Sequence, residues 1–307
     1  IMEMPYNDII RKFIDMYAGR LRNQVSFMLS ACNFYMPIFE EALDAYGLPL
    51  ELRYLPIIES ALNPSAVSRA GASGLWQFMI GTGKIYGLES NSLVDERRDP
   101  IKATWAAARY LKEMYDIYGD WNLVIAAYNC GPGTINKAIR RANGETDYWK
   151  IYNYLPKETR GYVPAFIAAN YVMTYYCDHN ICPMETNIPA STDTVQVNKN
   201  LHFEQIADLC NVPLDQIKSL NPQYKKQMIP GDSKPYTLRL PIDAISTFID
   251  KQDTIYAHRA DELFRNRKTV AVKEITPSTR KTTTAVAGKG KLTYYTIKSG
   301  DTLSTIA

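Results

Sequence analysis

The chain has 307 residues, 46% apolar and 22% charged, with a formal net charge of +3 at neutral pH; that length suits roughly two domains, or one domain with small modules. So small a positive charge argues against a dedicated nucleic-acid binder, which shows a concentrated basic face, and leaves a mildly anionic polymer as a compatible partner. No run of about 18 apolar residues occurs, so no helix is expected to cross a membrane.

In chain order, residues 1 to about 185 read as almost entirely helical. "YNDIIRKFIDMYAGRLRNQVSFMLSACNFYMPIFEEALDAYG" carries apolar residues at helical spacing throughout. Gly47 and Pro49 break it, and "LELRYLPIIESAL" begins a new helix. Asp99-Pro100, an N-cap followed by a first-turn proline, opens "IKATWAAARYLKEMYDIYG", which Gly119 ends. Asp120 caps "WNLVIAAYN", which stops at Gly131-Pro132-Gly133, and a last helix runs near "TRGYVPAFIAANYVMTYYC". Strand-like alternation is absent from this half. After Pro189 the pattern changes: "TVQVN" and "YTLRLP" read as strands, with "FEQIADLC" and "LDQIKSLN" as short helices between them. A polar helix-like stretch follows from 242 to about 268. "KTVAVKEITPSTRKTTTAVAGKGK" then has too few large apolar groups to bury a core and reads as a flexible linker.

The five cysteines, Cys32, Cys130, Cys177, Cys182 and Cys210, include no CxxC pair, which argues against a zinc site. Cys177 and Cys182 are close enough in sequence to pair in an oxidising compartment; buried free thiols are the other reading. The 22 tyrosines are the compositional oddity. Their flat apolar faces and hydroxyls suit helix interfaces and equally suit a sugar.

Within "LPIIESALNP" one carboxylate, Glu59, lies in an apolar run. Residues three and four away on its helix are Leu55, Pro56, Leu62 and Asn63. Apolar flanks desolvate the anion and raise the pKa, which keeps a carboxyl protonated near neutrality as a general acid requires. A boundary residue at the rim of an apolar stripe is the plainer alternative. In "AVSRAGASGLWQFM", Gly71 and Gly74 flank two small residues, a spacing that permits close backbone approach to a helix or a ligand, or simply a tight turn. Gln77 offers a donor and an acceptor. "AAYNCGPG" sets Tyr128 and Asn129 at a helix end, where backbone groups are left unpaired.

Taken together, "ES" at 59–60, "GASGLWQFM" at 71–79, "AAYNCGPG" at 126–133 and "ETRGYVPAF" at 158–166 resemble the lytic transglycosylase family in order and approximate spacing. The resemblance covers roughly residues 40 to 175, and is to members with a lysozyme-like domain followed by LysM modules. It implies a mainly α fold: a lysozyme-like α-domain over 1–188, a small, divergent α+β LysM-like module over 193–242, a helical or flexible linker over 243–291, and the start of a second LysM over 292–307. It implies Glu59 as the single catalytic acid/base, Ser68 and Gln77 against the sugar beside the cleaved bond, and Met79 in the cleft wall. Tyr128 falls near the carboxylate with Asn129 beside it, and Glu158 and Tyr162 match the fourth segment, with Tyr162 in the cleft.

Glycoside cleavage ordinarily uses two carboxylates. The candidates for the second are Asp95, Glu96, Asp99 and Glu158. Asp99 is an N-cap, "DERRDP" looks like a self-paired charge cluster, and Glu158 could buttress a helix or a tyrosine hydroxyl. None has the apolar flank of Glu59, and the reading is that no second acid exists. The resemblance supplies a chemistry that needs only one: cleavage between N-acetylmuramic acid and N-acetylglucosamine with formation of a 1,6-anhydro end. A lysozyme- or chitinase-like hydrolase and a catalytically silent peptidoglycan-binding protein are the rival readings. No metal and no cofactor is expected. The implied partner is the peptidoglycan glycan strand, with no nucleic acid, for a monomer in the periplasm or cell envelope. The start at Ile1 lacks the basic-then-apolar order of a signal peptide, so an N-terminus removed from this chain, with a peripheral or lipid anchor to the outer membrane, is the arrangement expected.

The segment from "VQVNKN" to "LRLP" resembles a LysM module at Asn221-Pro222, Ile229-Pro230-Gly231 and Leu240-Pro241, but opens with "NKNLHFEQIA" where the family has Gly-Asp-Thr-Leu. Sugar binding and a purely structural role both remain open for it. "YYTIKSGDTLSTIA" has the LysM opening at Gly300, Asp301, Thr302 and Leu303, and at least one whole LysM is expected beyond Ala307.

Overall fold

The structure, a computed structural model, describes residues 2–264 apart from 187 and 190, together with 272, 274 and 275. The expected linker beyond 264 and the second LysM opening fall almost wholly outside the described residues. The first half contains α1 (Asp8–Ala18), α2 (Arg22–Ala45), α3 (Leu55–Ser60), α4 (Ile80–Ile85), α5 (Pro100–Tyr118), α6 (Trp121–Cys130), α7 (Pro132–Arg141), α8 (Tyr148–Ile151) and α9 (Lys157–Thr174). The long N-terminal periodicity does not run as one helix. It breaks at Gly19, whose N–H returns to the Asp15 carbonyl at 3.0 Å and ends α1. A hairpin results, and α1 lies along α9. The expected caps form: Asp99 Oδ1 accepts from the amides of Ile101 and Lys102, both at 3.0 Å, and Asp120 accepts from Leu123 at 2.7 Å.

The core of this half centres on Trp76, fully buried, with Nε1 donating to Thr104 Oγ1 at 2.9 Å and the ring 5.4 Å from that of Phe39. Around it the chain between α3 and α5 is mostly irregular. Its strand-like pairing among the described residues is in isolated bridges: Val67 with Ser73, Ser73 with Phe78, Ser90 with Asp95, Asn91 with Glu274 and Val94 with Tyr224. Gly74, at φ +87°, is required there: a Cβ would stand 1.7 Å from the Arg97 carbonyl oxygen. The close approach the glycines permit is thus to backbone.

"DERRDP" is self-paired, as its composition suggests, but buried. Arg97 makes a two-pronged ion pair with Asp95, both bonds at 2.8 Å, with 5% and 1% of each residue exposed. The guanidinium also donates to the carbonyls of Gly71 and Phe78 at 2.8 and 2.9 Å. One side chain therefore satisfies four acceptor atoms and pins the loop that follows α3.

The second module is β1 (Thr192–Val197), β2 (Asn200–His202), α10 (Phe203–Cys210), α11 (Leu214–Leu220), β3 (Met228–Pro230) and β4 (Tyr236–Pro241), followed by α12 (Ile242–Asp250), α13 (Gln252–Ala257) and α14 (Ala260–Leu263). β1 pairs antiparallel with β4, Thr192 opposite Pro241 and Val197 opposite Tyr236, and β2 pairs antiparallel with β3. Asn221 ties α11 to β4 in both directions, donating to the Arg239 carbonyl and accepting from its amide at 2.8 Å each. The unusual opening is an internal helix start: His202 caps α10 and its own amide donates to Gln205 Oε1 at 2.8 Å. Phe248 of α12 and Ile255 of α13 are buried in this module's core.

That core is completed from the first half. Leu93 and Val94 are buried among the module's apolar residues. The Asp95 amide donates to the Gln223 carbonyl at 2.9 Å and the Lys225 amide to the Leu93 carbonyl at 2.8 Å. Lys225 Nζ reaches the Asn91 carbonyl at 2.8 Å, and the Tyr236 hydroxyl donates to Glu89 Oε1 at 3.1 Å. Asp95 therefore serves both the loop pinned by Arg97 and the seam with the module. Asp95→Ala would strand a buried guanidinium, a change that costs about 3–5 kcal/mol. Urea unfolding is expected to show a loss of that order; a loss below about 1 kcal/mol, the value of an exposed pair, would show that the pair does not hold the fold.

Candidate active site

Glu59 is the penultimate residue of α3, a six-residue helix too short to be stable alone. Leu55, Pro56 and Ile57 anchor it in the core. Ala61 and Leu62 then take left-handed backbone angles, φ 51° and 59°, turning the chain sharply away. Ser60 fixes the exit, its hydroxyl reaching the carbonyls of Pro56 at 3.0 Å and Leu75 at 2.9 Å. The Glu59 carboxyl accepts a hydrogen bond from the Tyr162 hydroxyl of α9. It is half-buried, enclosed by protein atoms with one face open to a cleft of about 450 Å³. Burial pushes its pKa up to about 7; the Tyr162 hydrogen bond works the other way, and the Glu158 carboxylate adds to the rise.

The cleft is lined by Glu59, Ser68 and Gln77 from the predicted set. Ser68 is exposed, and its Oγ accepts from the Ala72 amide at 3.0 Å. Gln77, at φ 49°, uses its Nε2 on the carbonyls of Gly74 at 2.8 Å and Ala66 at 3.3 Å. That leaves the amide oxygen as the group it can turn to a ligand. Tyr128 donates from its hydroxyl to the Trp76 carbonyl at 2.6 Å. Its pKa is raised well above the usual range, first by burial and then by the nearby Glu59 carboxylate. Asn129 does not reach the cleft lining; its Oδ1 accepts from the Thr159 hydroxyl at 2.9 Å and joins α6 to α9. Met79, 45% exposed, precedes α4 and also lies outside the lining. Glu158 is exposed in the first turn of α9, four residues before Tyr162.

The opposite wall comes from residues that sequence reasoning did not single out. Tyr17 of α1, Leu21, and Gln24 and Met28 of α2 line the cleft. Burial pushes the Tyr17 hydroxyl up to about 12. In the sequence they sit in ordinary amphipathic periodicity, and only the break at Gly19 hints that the two helices fold back on each other.

Two outcomes follow from the carboxyl's surroundings. Tyr162→Phe removes a donor that stabilises the anion, so it should raise the Glu59 pKa and carry the alkaline limb of any Glu59-dependent rate to higher pH. An unmoved limb in a pH–rate profile would separate the two groups. A folded pKa of about 7 against 4.5 in the open chain penalises the fold once Glu59 ionises. Below about pH 4.5 both states hold the proton and the penalty vanishes; it grows through pH 7 and is full above it. Glu59→Gln should therefore be more stable than the parent at pH 8 and indistinguishable at pH 4, as read from thermal melts.

Residues 36–151 match the transglycosylase SLT domain family, residues 191–257 the LysM-like domain of lytic transglycosylase MltD, and residues 295–307 the LysM domain family. Membrane-bound lytic murein transglycosylase D of Escherichia coli K12 is 31% identical over 312 aligned residues, covering 100% of this chain; the chain spans 64% of that relative's length. Soluble lytic murein transglycosylase of the same organism is 33% identical over 124 residues, covering 38% of this chain and 19% of the relative. A crystal structure of the 70 kDa soluble lytic transglycosylase from Escherichia coli aligns over 47% of this chain and 24% of its own, at 29% identity and a TM-score of 0.41. Residues 36–151 of this chain are thus of the transglycosylase SLT domain type, and the segments matched after them are of the LysM type.

Proposed function

We propose that the chain cleaves the β-1,4 bond between N-acetylmuramic acid and N-acetylglucosamine in peptidoglycan without water, leaving 1,6-anhydro-N-acetylmuramic ends. The observation that carries this reading is the composition of the cleft: Glu59, with a pKa of about 7, is the one carboxyl among its described lining residues. A single acid can complete the reaction if the substrate brings its own nucleophile. Protonated Glu59 donates to the glycosidic oxygen, and the C1–O bond breaks as the aglycone leaves as an alcohol. The 2-acetamido oxygen of the muramic residue stabilises the cation at C1. The carboxylate of Glu59 then takes the proton of the C6 hydroxyl while O6 bonds to C1, which returns Glu59 to its starting state. An internal nucleophile has an effective concentration no external water can match.

The residues around Glu59 take supporting roles in this reading. The Tyr162 hydroxyl steadies the carboxylate between its two proton transfers. Ser68 and the Gln77 amide oxygen face the sugar beside the bond, and Tyr128 braces the wall through Trp76. Asn129 fixes α6 against α9 behind the site. Glu158 acts at a distance, holding the Glu59 proton on by its charge. Met79 presents an exposed apolar face beyond the cleft, for a more distant part of the strand. The same reading places the enzyme in the periplasm as a monomer, with a peripheral or lipid anchor at the outer membrane; a membrane-bound relative favours that anchoring.

The experiment is digestion of purified cell-wall sacculi followed by mass spectrometry of the products. Anhydro ends resistant to borohydride reduction are expected, whereas reducible ends would establish the hydrolytic alternative. Glu59→Gln is expected to abolish muropeptide release and to leave sacculus binding nearly unchanged. Residual turnover above about 1% would mean another group supplies the proton.

A further inference from the structure

A second, larger groove of about 1170 Å³ lies between the SLT domain and the LysM-like module. That exceeds the ~300–1,000 Å³ of a drug-sized ligand site and suits an oligomer better than a monomer. Its floor is apolar and aromatic: Phe27, 44% exposed, and Phe34 on α2 face Leu220 of α11 across it. Its rim is polar, with no cation among its described lining residues. α11 contributes Asp215, Gln216 and Ser219, and the SLT side contributes Asn63, Ser65 and Glu185. Asp215 pairs with Lys218 at 3.1 Å, which lies outside the lining.

The groove and the cleft share their walls. On α2, Gln24 and Met28 line the cleft while Phe27, Ala31 and Phe34 line the groove. On the turn after α3, Ala61 and Ala66 face the cleft, and the residues between them, Leu62 to Ser65, face the groove. A polymer lying across Glu59 needs only to pass this turn to enter the groove. Aromatic faces under a rim of amides, hydroxyls and carboxylates are what sugar rings require, since their C–H faces stack and their hydroxyls both donate and accept. Glu185, with Asp215 paired to Lys218, leaves the rim without a net positive charge, so the uncharged N-acetylglucosamine residues of the strand fit it better than its anionic groups.

We propose that this groove is a distal glycan-binding site, built jointly by α2 and α11, that holds the N-acetylglucosamine residues of a strand whose scissile bond lies at Glu59. The proposal rests on the peptidoglycan reading for its substrate, and gives the LysM-like module a task that its own isolated fold would not perform. The site is read directly by calorimetric titration of the whole chain, in the non-cleaving Glu59→Gln background, with a hexamer of N-acetylglucosamine. Ser219→Trp fills the groove from an exposed position, and Phe27→Ala removes its stacking face. Each is expected to weaken hexamer binding about tenfold or more. Should Phe27→Ala lower the melting temperature, Ser219→Trp alone decides the matter. Unchanged affinity in Ser219→Trp, or no hexamer binding before it is introduced, overturns the proposal even if sacculi yield anhydro ends. Conversely, groove-dependent hexamer binding by a chain that yields no anhydro ends leaves the site standing and removes the proposed function.

Discussion

A carboxyl group that is to keep its proton near neutrality needs a place where water solvates its anion poorly. Glu59 has one because α3 ends there. The helix buries Leu55 and Ile57, carries the carboxyl to the edge of the core, and then stops in two consecutive left-handed residues that clear space in front of it. Desolvation alone would hold the proton too tightly. The Tyr162 hydroxyl, delivered by α9 from 103 residues away in sequence, moderates it. In the proposed reaction, the balance between these two opposing effects near pH 7 is what would let one side chain serve as acid and then as base.

The wall that faces Glu59 is held by a buried charge. Arg97 joins the carbonyls of Gly71 and Phe78 to Asp95, and Gly74 lets the Arg97 backbone approach where any side chain would collide. Gln77 completes the loop by spending its amide protons inside it. The same stretch carries Leu93 and Val94 into the module's core. Cleft loop and module seam are therefore one continuous construction. This explains why a charged hexapeptide, which a solvated surface would tolerate in any order, is buried with its partners in fixed places.

Much of this was legible in the residues. The apolar flank of Glu59 predicted its raised pKa. Asp99 and Asp120 announced their helices, and the alternation in "YTLRLP" matches the buried and half-buried sequence of β4. The cysteines were less so: Cys177 and Cys182 are exposed thiols, Cys210 is buried, and Cys32 and Cys130 lie between. The single helical period of the N-terminus concealed a hairpin, because Gly19 acts through a backbone turn that a periodicity does not register. Tyr17 and Gln24 were invisible as cleft residues for the same reason, since a face of a helix is defined only by what folds against it.

The sequence by itself determined which groups exist and how each biases its neighbours within a turn or two: one acid among apolar residues, glycines where the chain must bend left-handed, caps, and strand alternation. These are local effects, set by covalent spacing of a few residues. Tertiary structure alone decided that Tyr162 meets Glu59, that Gln77's amide faces inward, that Met79 stands clear of the cleft, and that two residues of one domain finish the core of the next. The Tyr162–Glu59 bond and the shared core join positions scores of residues apart, and their energies arise only once burial removes water from both partners together.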